Sequence, residues 1–265
     1  MRKFIPIILI CFVLILFKNP DSKSESIQQP SDKPEQETVD TKEDESFYTL
    51  SDIQHMPASS VLTESMLNSE LIDQLFYYTE LTDTVTSRIM NISYKENDHI
   101  SLSDLRYLRV LHRNIDGQVL IGELIVNHQI ADDILEIMKE LFWSDYPIEL
   151  MVLVDEYLAD DDTSMSANNS SAFNYRMVSG TNRLSNHSYG MAIDINPRYN
   201  PYIVTRNGKT MITPENGIPY ADRESDFPYK IEENDLCVKL FLEHGFTWGG
   251  SWRNSKDYQH FEKEL

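Results

Sequence analysis

Disulfides, a basic surface and phosphate loops are all missing from this chain. Two of its 265 residues are cysteine, Cys11 and Cys237. Cys11 falls inside an apolar N-terminal run, so the globular part holds no pair to oxidise, and Cys237 reads as a small buried apolar residue. Lysine and arginine number 23 against 43 aspartates and glutamates, a net charge of −20. A nucleic-acid partner needs a basic face; none is visible, so no nucleic acid is expected. The acidic surplus is compatible with exposure at a cell surface. No phosphate-binding glycine loop and no internal repeat occurs.

The first residues, "MRKFIPIILICFVLILFKNP", place Arg2 and Lys3 before an uncharged run from Phe4 to Phe17, closed by Lys18. This is the charge order of an export signal or signal anchor. As a helix the run covers roughly 20 Å, short of a hydrocarbon core of roughly 30 Å, and Pro6 weakens its start. Small residues suited to cleavage are scarce behind it, Ser22-Lys23-Ser24 being the nearest. The bulky Ile10 before Cys11 disfavours a lipid-attachment cysteine. Residues 1–18 are therefore expected to be a signal anchor or signal peptide, with the uncleaved anchor preferred. Positive charge ahead of the segment puts the remainder outside the cytoplasm. Residues 19–46, rich in Pro, Ser, Gln, Lys and acids with one Ile and one Val, are expected to form a disordered acidic linker.

Residues 47–99 are expected to be a helical accessory segment, because Leu62, Met66, Leu71, Ile72, Leu75 and Phe76 recur at three- and four-residue spacing. "LRYLRVLHRNIDGQVLIGELIVN" reads as a β-hairpin turning at Asp116-Gly117. "HQIADDILEIMKELFWS" is an amphipathic helix. "YPIELMVLVDEY" and "GMAIDIN" read as strands, "EENDLCVKLFLEHG" as a helix ending at Gly245, and "FTWGG" and "YQHFE" as short final strands. Hairpin, helix, strands, helix and strands in that order predict an α+β domain, an antiparallel sheet flanked by helices, over residues 100–265.

In "GMAIDIN", Ala192 and Asp194 share one strand face, and Met191, Ile193 and Ile195 the other. A carboxylate buried without a partner costs several kcal/mol, so Asp194 calls for an arginine, a lysine or a metal ion. His187 lies in the turn just before this strand. Alone, His187 and Asp194 make an ordinary hydrogen-bonded pair as well as they make two metal ligands. "DYQHFE" then adds Asp257 three residues before His260. Two histidines and a carboxylate are a three-ligand set for Zn²⁺, with a fourth position for water. A neighbouring carboxylate can shuttle that water's proton.

These residues carry a family pattern. Ser185, His187, Gly190, Ala192 and Asp194 form Ser-x-His-x-x-Gly-x-Ala-x-Asp, followed by an acid three residues before a histidine. With "DDTSMSANNSSAFNYR", "INPRYNPYI" and "GFTWGGSWRNSKDYQHFE", the chain resembles the zinc D-alanyl-D-alanine carboxypeptidase and L-alanyl-D-glutamate endopeptidase family over roughly residues 100 to 263. That family cuts peptidoglycan stem peptides and includes vancomycin-resistance dipeptidases and phage endolysins. The resemblance implies a fold of the hedgehog and D-Ala-D-Ala-carboxypeptidase type and a zinc peptidase in the cell wall, membrane-anchored or secreted. It implies His187, Asp194 and His260 as zinc ligands and Asp257 as catalytic base. It also implies Arg176 as the residue that binds a substrate carboxylate or polarises the scissile carbonyl, and Ser185 as a substrate hydrogen-bond partner.

Several alternatives stay open at this stage. Arg176 has Asp161 or Asp162 nearby to pair with, Ser185 suits a turn cap, and a zinc-containing wall-binding or signalling module would use the same fold without catalysis. Many dipeptidase members carry glutamate where this chain has Asp257, which tilts the expectation toward the endopeptidase. Trp248, Gly249, Gly250 and Trp252 are either a cleft wall or plain packing. His55, His99, His112, His128 and His244 fit no ligand spacing. Nothing in the sequence fixes the oligomeric state.

Overall fold

A computed structural model of the chain describes residues 47–264. The expected anchor (1–18) and linker (19–46) lie outside the described residues. Within them the elements run α1 (Leu50–Gln54), β1 (Val61–Leu62), α2 (Ser69–Gln74), β2 (Tyr77–Glu80), α3 (Asp83–Ile89), β3 (Leu105–Arg113), β4 (Val119–Asn127), α4 (Ala131–Trp143) and α5 (Asp161–Ser166). They continue with β5 (Ala192–Asp194), β6 (Tyr202–Arg206), β7 (Lys209–Thr213), α6 (Leu236–Glu243), β8 (Thr247–Trp248), β9 (Ser255–Asp257) and β10 (His260–Glu262). The class is α+β with antiparallel pairing, as expected. In place of one sheet there are three, ordered β1-β4-β3-β2, β5-β10-β8 and β7-β6-β9.

The β3–β4 hairpin is the frame. Its nine paired positions run from Leu105↔Asn127 to Arg113↔Val119, and Gly117 supplies a positive φ of 76° in the turn. The amphipathic helix appears as α4, burying Ile134, Ile137, Met138, Leu141 and Phe142. The first four pack with Leu108 and Val110 of β3, Ile193 of β5, Phe241 of α6 and Phe261 of β10 in one apolar cluster, and Phe142 joins a second with Leu75 and Leu111. Each such side chain contributes ~2 kcal/mol by leaving water. The β5-β10-β8 sheet is thereby fixed to the large one through a shared core. In α6, Asp235 caps the N-terminus by accepting from Cys237 N, Cys237 is buried as expected, and Gly245 turns the chain at φ 81°.

The N-terminal segment departs from expectation. It is a mixture of short helices and strands, and β1 and β2 form both edges of the four-stranded sheet. The aromatic, β-favouring run Phe76-Tyr77-Tyr78-Thr79 explains β2, which pairs with β3 from Tyr77↔Arg109 to Glu80↔Arg106. Ile53, Leu71, Ile72 and Leu75 share a cluster with Leu111, Val119 and Ile121 of the hairpin. The helical spacing was real, but each helix is too short to stand apart from that surface. The segment is part of the domain.

"YPIELMVLVDEY" is extended but is not a regular strand. It makes only isolated bridges, at Pro147 and Leu150, and ends in a 3-10 turn over Val154–Tyr157. Asparagine side chains take the place of ladder partners. Asn169 accepts from Val152 N at 2.8 Å and donates to Val152 O at 3.0 Å, and Asn196 accepts from Glu149 N at 3.0 Å. The β6–β7 hairpin is an element not foreseen. Asn207 and Gly208, at φ 52° and 73°, form the two-residue turn that joins it.

The N-terminal segment is tied in by a buried ion pair. Glu123 of β4 is 2 % exposed and accepts two hydrogen bonds from Arg88 of α3, at 2.8 and 2.6 Å, and one from Tyr107 Oη at 2.6 Å. Removing one partner strands a buried charge. Arg88→Ala is expected to cost about 3 kcal/mol in urea unfolding, while Arg88→Met combined with Glu123→Leu recovers more than half of that loss. An Arg88→Ala midpoint equal to wild type would show that the tie carries no stability.

Candidate metal centre

The site is assembled where β5 and β10 pair. Their antiparallel register sets His260 directly opposite Asp194 and Phe261 opposite Ile193. Alternation sends Asp194, His260 and Glu262 to one face, while Ile193 and Phe261 enter the core, Phe261 stacking on Phe241 at 4.1 Å. His187 comes from the 3-10 turn Asn186–Tyr189, which Ser185 caps by accepting from His187 N at 3.3 Å. Gly190 ends that turn at φ 66°, and a Cβ there would lie 2.6 Å from Asn127 N. Asn127 N–H donates to Gly190 O at 2.9 Å, docking the turn on the end of β4. The glycine of the pattern is needed both for the turn and for this approach.

His187, Asp194 and His260 are all buried, with one ligand atom from each lying within 4.8 Å of the others. His187 Nε2 stands 3.3 Å from Asp194 Oδ2 and 3.2 Å from His260 Nδ1, and His260 Nδ1 is 3.0 Å from Asp194 Oδ1. The outward nitrogens are already engaged. His187 Nδ1 meets Ala172 O at 2.5 Å, and His260 Nε2 meets Glu262 Oε2 at 3.0 Å. A carbonyl or carboxylate oxygen only accepts, so those nitrogens carry the hydrogens. In neutral rings the inward nitrogens then present two lone pairs to each other beside a carboxylate. Such an arrangement demands a proton or a metal cation at its centre, and the donor set suits zinc.

Electrostatics agree. Burial opposes ionisation of Asp194, yet His187 and His260 outweigh it and hold the carboxyl well below the usual range. Burial likewise disfavours the imidazolium of His260, but Asp194 and Glu262 raise it to about 10. Without a metal, the proton on His260 is the cation that the cluster requires.

Asp257 ends β9, held to β6 by the Tyr202↔Asp257 pairing. Its Oδ1 is buried and has no hydrogen-bond partner. Burial raises its carboxyl to about 7, with His260 lowering and Asp194 raising it further. Gly249 lets the backbone close on Asp257, since a Cβ there would fall 2.6 Å from Asp257 O. Trp252 lies beside His260 with ring centres 5.4 Å apart, on the wall of the site. Trp248 is a packing residue, buried with its Nε1 donating to Tyr258 O. Among the remaining histidines, His112 is buried with Nδ1 on Ile148 O, and none joins the cluster.

Arg176 is ion-paired with Asp161 through Nε. The pairing uses one edge of the guanidinium and leaves the two terminal Nη groups for a ligand. Burial raises the Asp161 carboxyl, against the pull of Arg176 and His187, which places the pair within electrostatic reach of the cluster. Ser185 is buried and serves as the turn cap. Of the two acids that the sequence offers Arg176, the structure selects Asp161; Glu262 was not among the residues expected from the sequence. For Glu262 a signal was present: in a strand, position i+2 shares the face of a ligand at i, and a carboxylate there can orient the imidazole. Asn186 Nδ2 fixes it further with a 2.6 Å hydrogen bond.

Residues 179–263 match the sequence model of a family described as D-alanyl-D-alanine carboxypeptidase. The matched stretch contains Ser185, His187, Asp194, Asp257 and His260, and leaves Arg176 outside. No curated protein and no solved structure matches the chain.

Two outcomes follow from this geometry. Glu262→Gln removes the carboxylate acceptor behind His260 and is expected to weaken zinc binding ten- to a hundredfold in competition with a chromophoric chelator; unchanged affinity would deny Glu262 that role. Asp257 has a folded pKa of about 7, above an unfolded value of about 3.9, so its ionisation costs stability that sets in above the unfolded pKa and is complete above 7. Asp257→Asn should therefore stabilise the metal-free protein by on the order of 2 kcal/mol at pH 8 and not at pH 4. Equal effects at the two pH values would contradict the buried, partnerless state of Oδ1.

Proposed function

We propose that the protein is a zinc peptidase that hydrolyses peptidoglycan stem peptides, from the premise that residues 179–263 match the model of the D-alanyl-D-alanine carboxypeptidase family. The carrying observation is the buried, unpartnered Oδ1 of Asp257 beside the His187, Asp194 and His260 cluster. A site that only bound metal would need no such carboxylate, so this feature favours catalysis over a wall-binding or signalling module.

His187 Nε2, one Asp194 oxygen and His260 Nδ1 would hold the ion, which supplies Lewis acidity toward a peptide carbonyl and makes water more acidic. Asp257 accepts a proton from the attacking water as the C–O bond forms. It returns that proton to the leaving amine as the C–N bond breaks. A carboxyl held near neutrality is suited to both transfers. Arg176, steadied by Asp161, offers its Nη groups to a substrate carboxylate or to charge developing on the carbonyl oxygen. The shorter Asp257 in place of glutamate favours an L-Ala-D-Glu endopeptidase over a D-Ala-D-Ala carboxypeptidase. The N-terminal charge order supports an extracytoplasmic enzyme that is tethered to the membrane or secreted to the wall.

Incubation of the purified chain and zinc with peptidoglycan is expected to yield new amino termini or free D-Ala, and mass spectrometry of the fragments identifies the bond. A chelator should abolish the reaction. Asp257→Asn should keep about one zinc per chain and lose at least a hundredfold in rate; wild-type turnover by that variant would remove Asp257 from the mechanism.

A further inference from the structure

A cavity of roughly 330 Å³ opens beside Arg176. Asn174, Tyr175 and Arg176 form one wall, and the other belongs to the N-terminal segment, with Asn91, Ile92 and Lys95. Leu158 and Ala159 stand at its rim. All of this lining precedes the residues that match the family.

The two walls are stitched together and fixed in place. Tyr175 N donates to Ser93 O at 2.9 Å, and Ser93 in turn donates through N and Oγ to Asp155 at 3.0 and 2.9 Å. Asn91 holds its turn at φ 63°, with its N–H on Tyr94 O at 2.7 Å. The cavity also adjoins the metal centre. Asn174 N donates to His187 O at 3.2 Å, and Asn174 Nδ2 reaches Asp161, the partner of Arg176, at 2.7 Å.

Two further features point to a ligand. Leu158 and Ala159 both occupy the left-handed region, at φ 56° and 59°, a conformation that disfavours side-chain-bearing residues. The result holds Leu158 81 % exposed at the cavity mouth. Lys95 is exposed and makes no ion pair among the described residues. In a chain of net charge −20 a cavity lined by Lys95 and Arg176 and by no acidic residue is a local reversal of sign.

We infer that this cavity is a specificity subsite for a carboxylate-bearing residue of the peptide substrate, with Lys95 as its counter-ion and Leu158 against its aliphatic part. The inference rests on the proposed peptidase reading. Substrate selection is then shared between two distant stretches of chain: the family-matched segment supplies the ligands and base, and residues 91–95 supply the charge that chooses among peptides.

The test uses the full chain with zinc and the pentapeptide L-Ala-γ-D-Glu-L-Lys-D-Ala-D-Ala, together with two analogues in which the D-Glu α-carboxylate or the C-terminal carboxylate is an amide. Lys95→Ala is expected to raise KM for the parent peptide about tenfold, one lost charge pair, more than it lowers kcat, and Lys95→Arg to restore it. For one of the amides, wild type and Lys95→Ala should give the same KM. Calorimetric titration of the Asp257→Asn protein with the same peptides, with and without Lys95→Ala, should repeat the pattern in Kd. A KM and Kd within twofold of wild type for Lys95→Ala, or an equal loss on all three peptides, would overturn the subsite. Absence of hydrolysis by wild type with a Lys95-dependent Kd retained would instead remove the peptidase reading and leave a carboxylate site; failure of both readouts removes both.

Discussion

The need of one buried carboxylate for positive charge organises this molecule. Asp194 lies in a strand whose other face is core, and it can remain ionised there only because two imidazoles converge on it. Their outward nitrogens are committed to Ala172 O and Glu262, so the inward ones cannot satisfy each other. The fold therefore builds a deficit of one cation into its centre. Every other element of the site serves that deficit, from the Ser185-capped turn that carries His187 to the register that brings His260 over Asp194.

Asp257 is governed by the same electrostatics with the opposite result. Asp194 has histidines on either side and stays charged, whereas Asp257 has a partnerless oxygen and is pushed toward neutrality. Two neighbouring carboxylates are thereby separated into one held ionised and one held near neutrality, the division that the proposed roles of ligand and proton carrier require. That division of labour is a common outcome where environments differ by burial and partners.

Much of this was legible in the sequence because the governing patterns are local. Strand alternation around Asp194, the turn dipeptide at residues 116 and 117, and the 3.6-residue period of α4 each report structure within a few residues. The grouping of His187, Asp194 and His260 is legible because pattern and chemistry coincide in two short blocks. The N-terminal segment was misjudged since its helical spacing says nothing of which distant surface it covers, and β1 and β2 exist only through pairing with the hairpin. Likewise "YPIELMVLVDEY" has strand composition, but it makes isolated backbone contacts and hands Glu149 and Val152 to asparagine side chains that no periodicity announces. Which of Asp161 and Asp162 pairs with Arg176 is decided only by what faces the guanidinium across the fold.

The pairing of β5 with β10 has a consequence for how such a chain can vary. A shift of one residue between these strands would turn Asp194 and His260 to opposite faces, so no intermediate degree of site formation exists along that coordinate. The long connection between them meets no such restriction at the tip of the β6–β7 hairpin, where Asn207 and Gly208 sit in solvent. Insertions and deletions are thus tolerable at that tip and disruptive within β5 or β10. The site acts as a digital element, and the hairpin tip is a place where the connection between its two strands is free to change length.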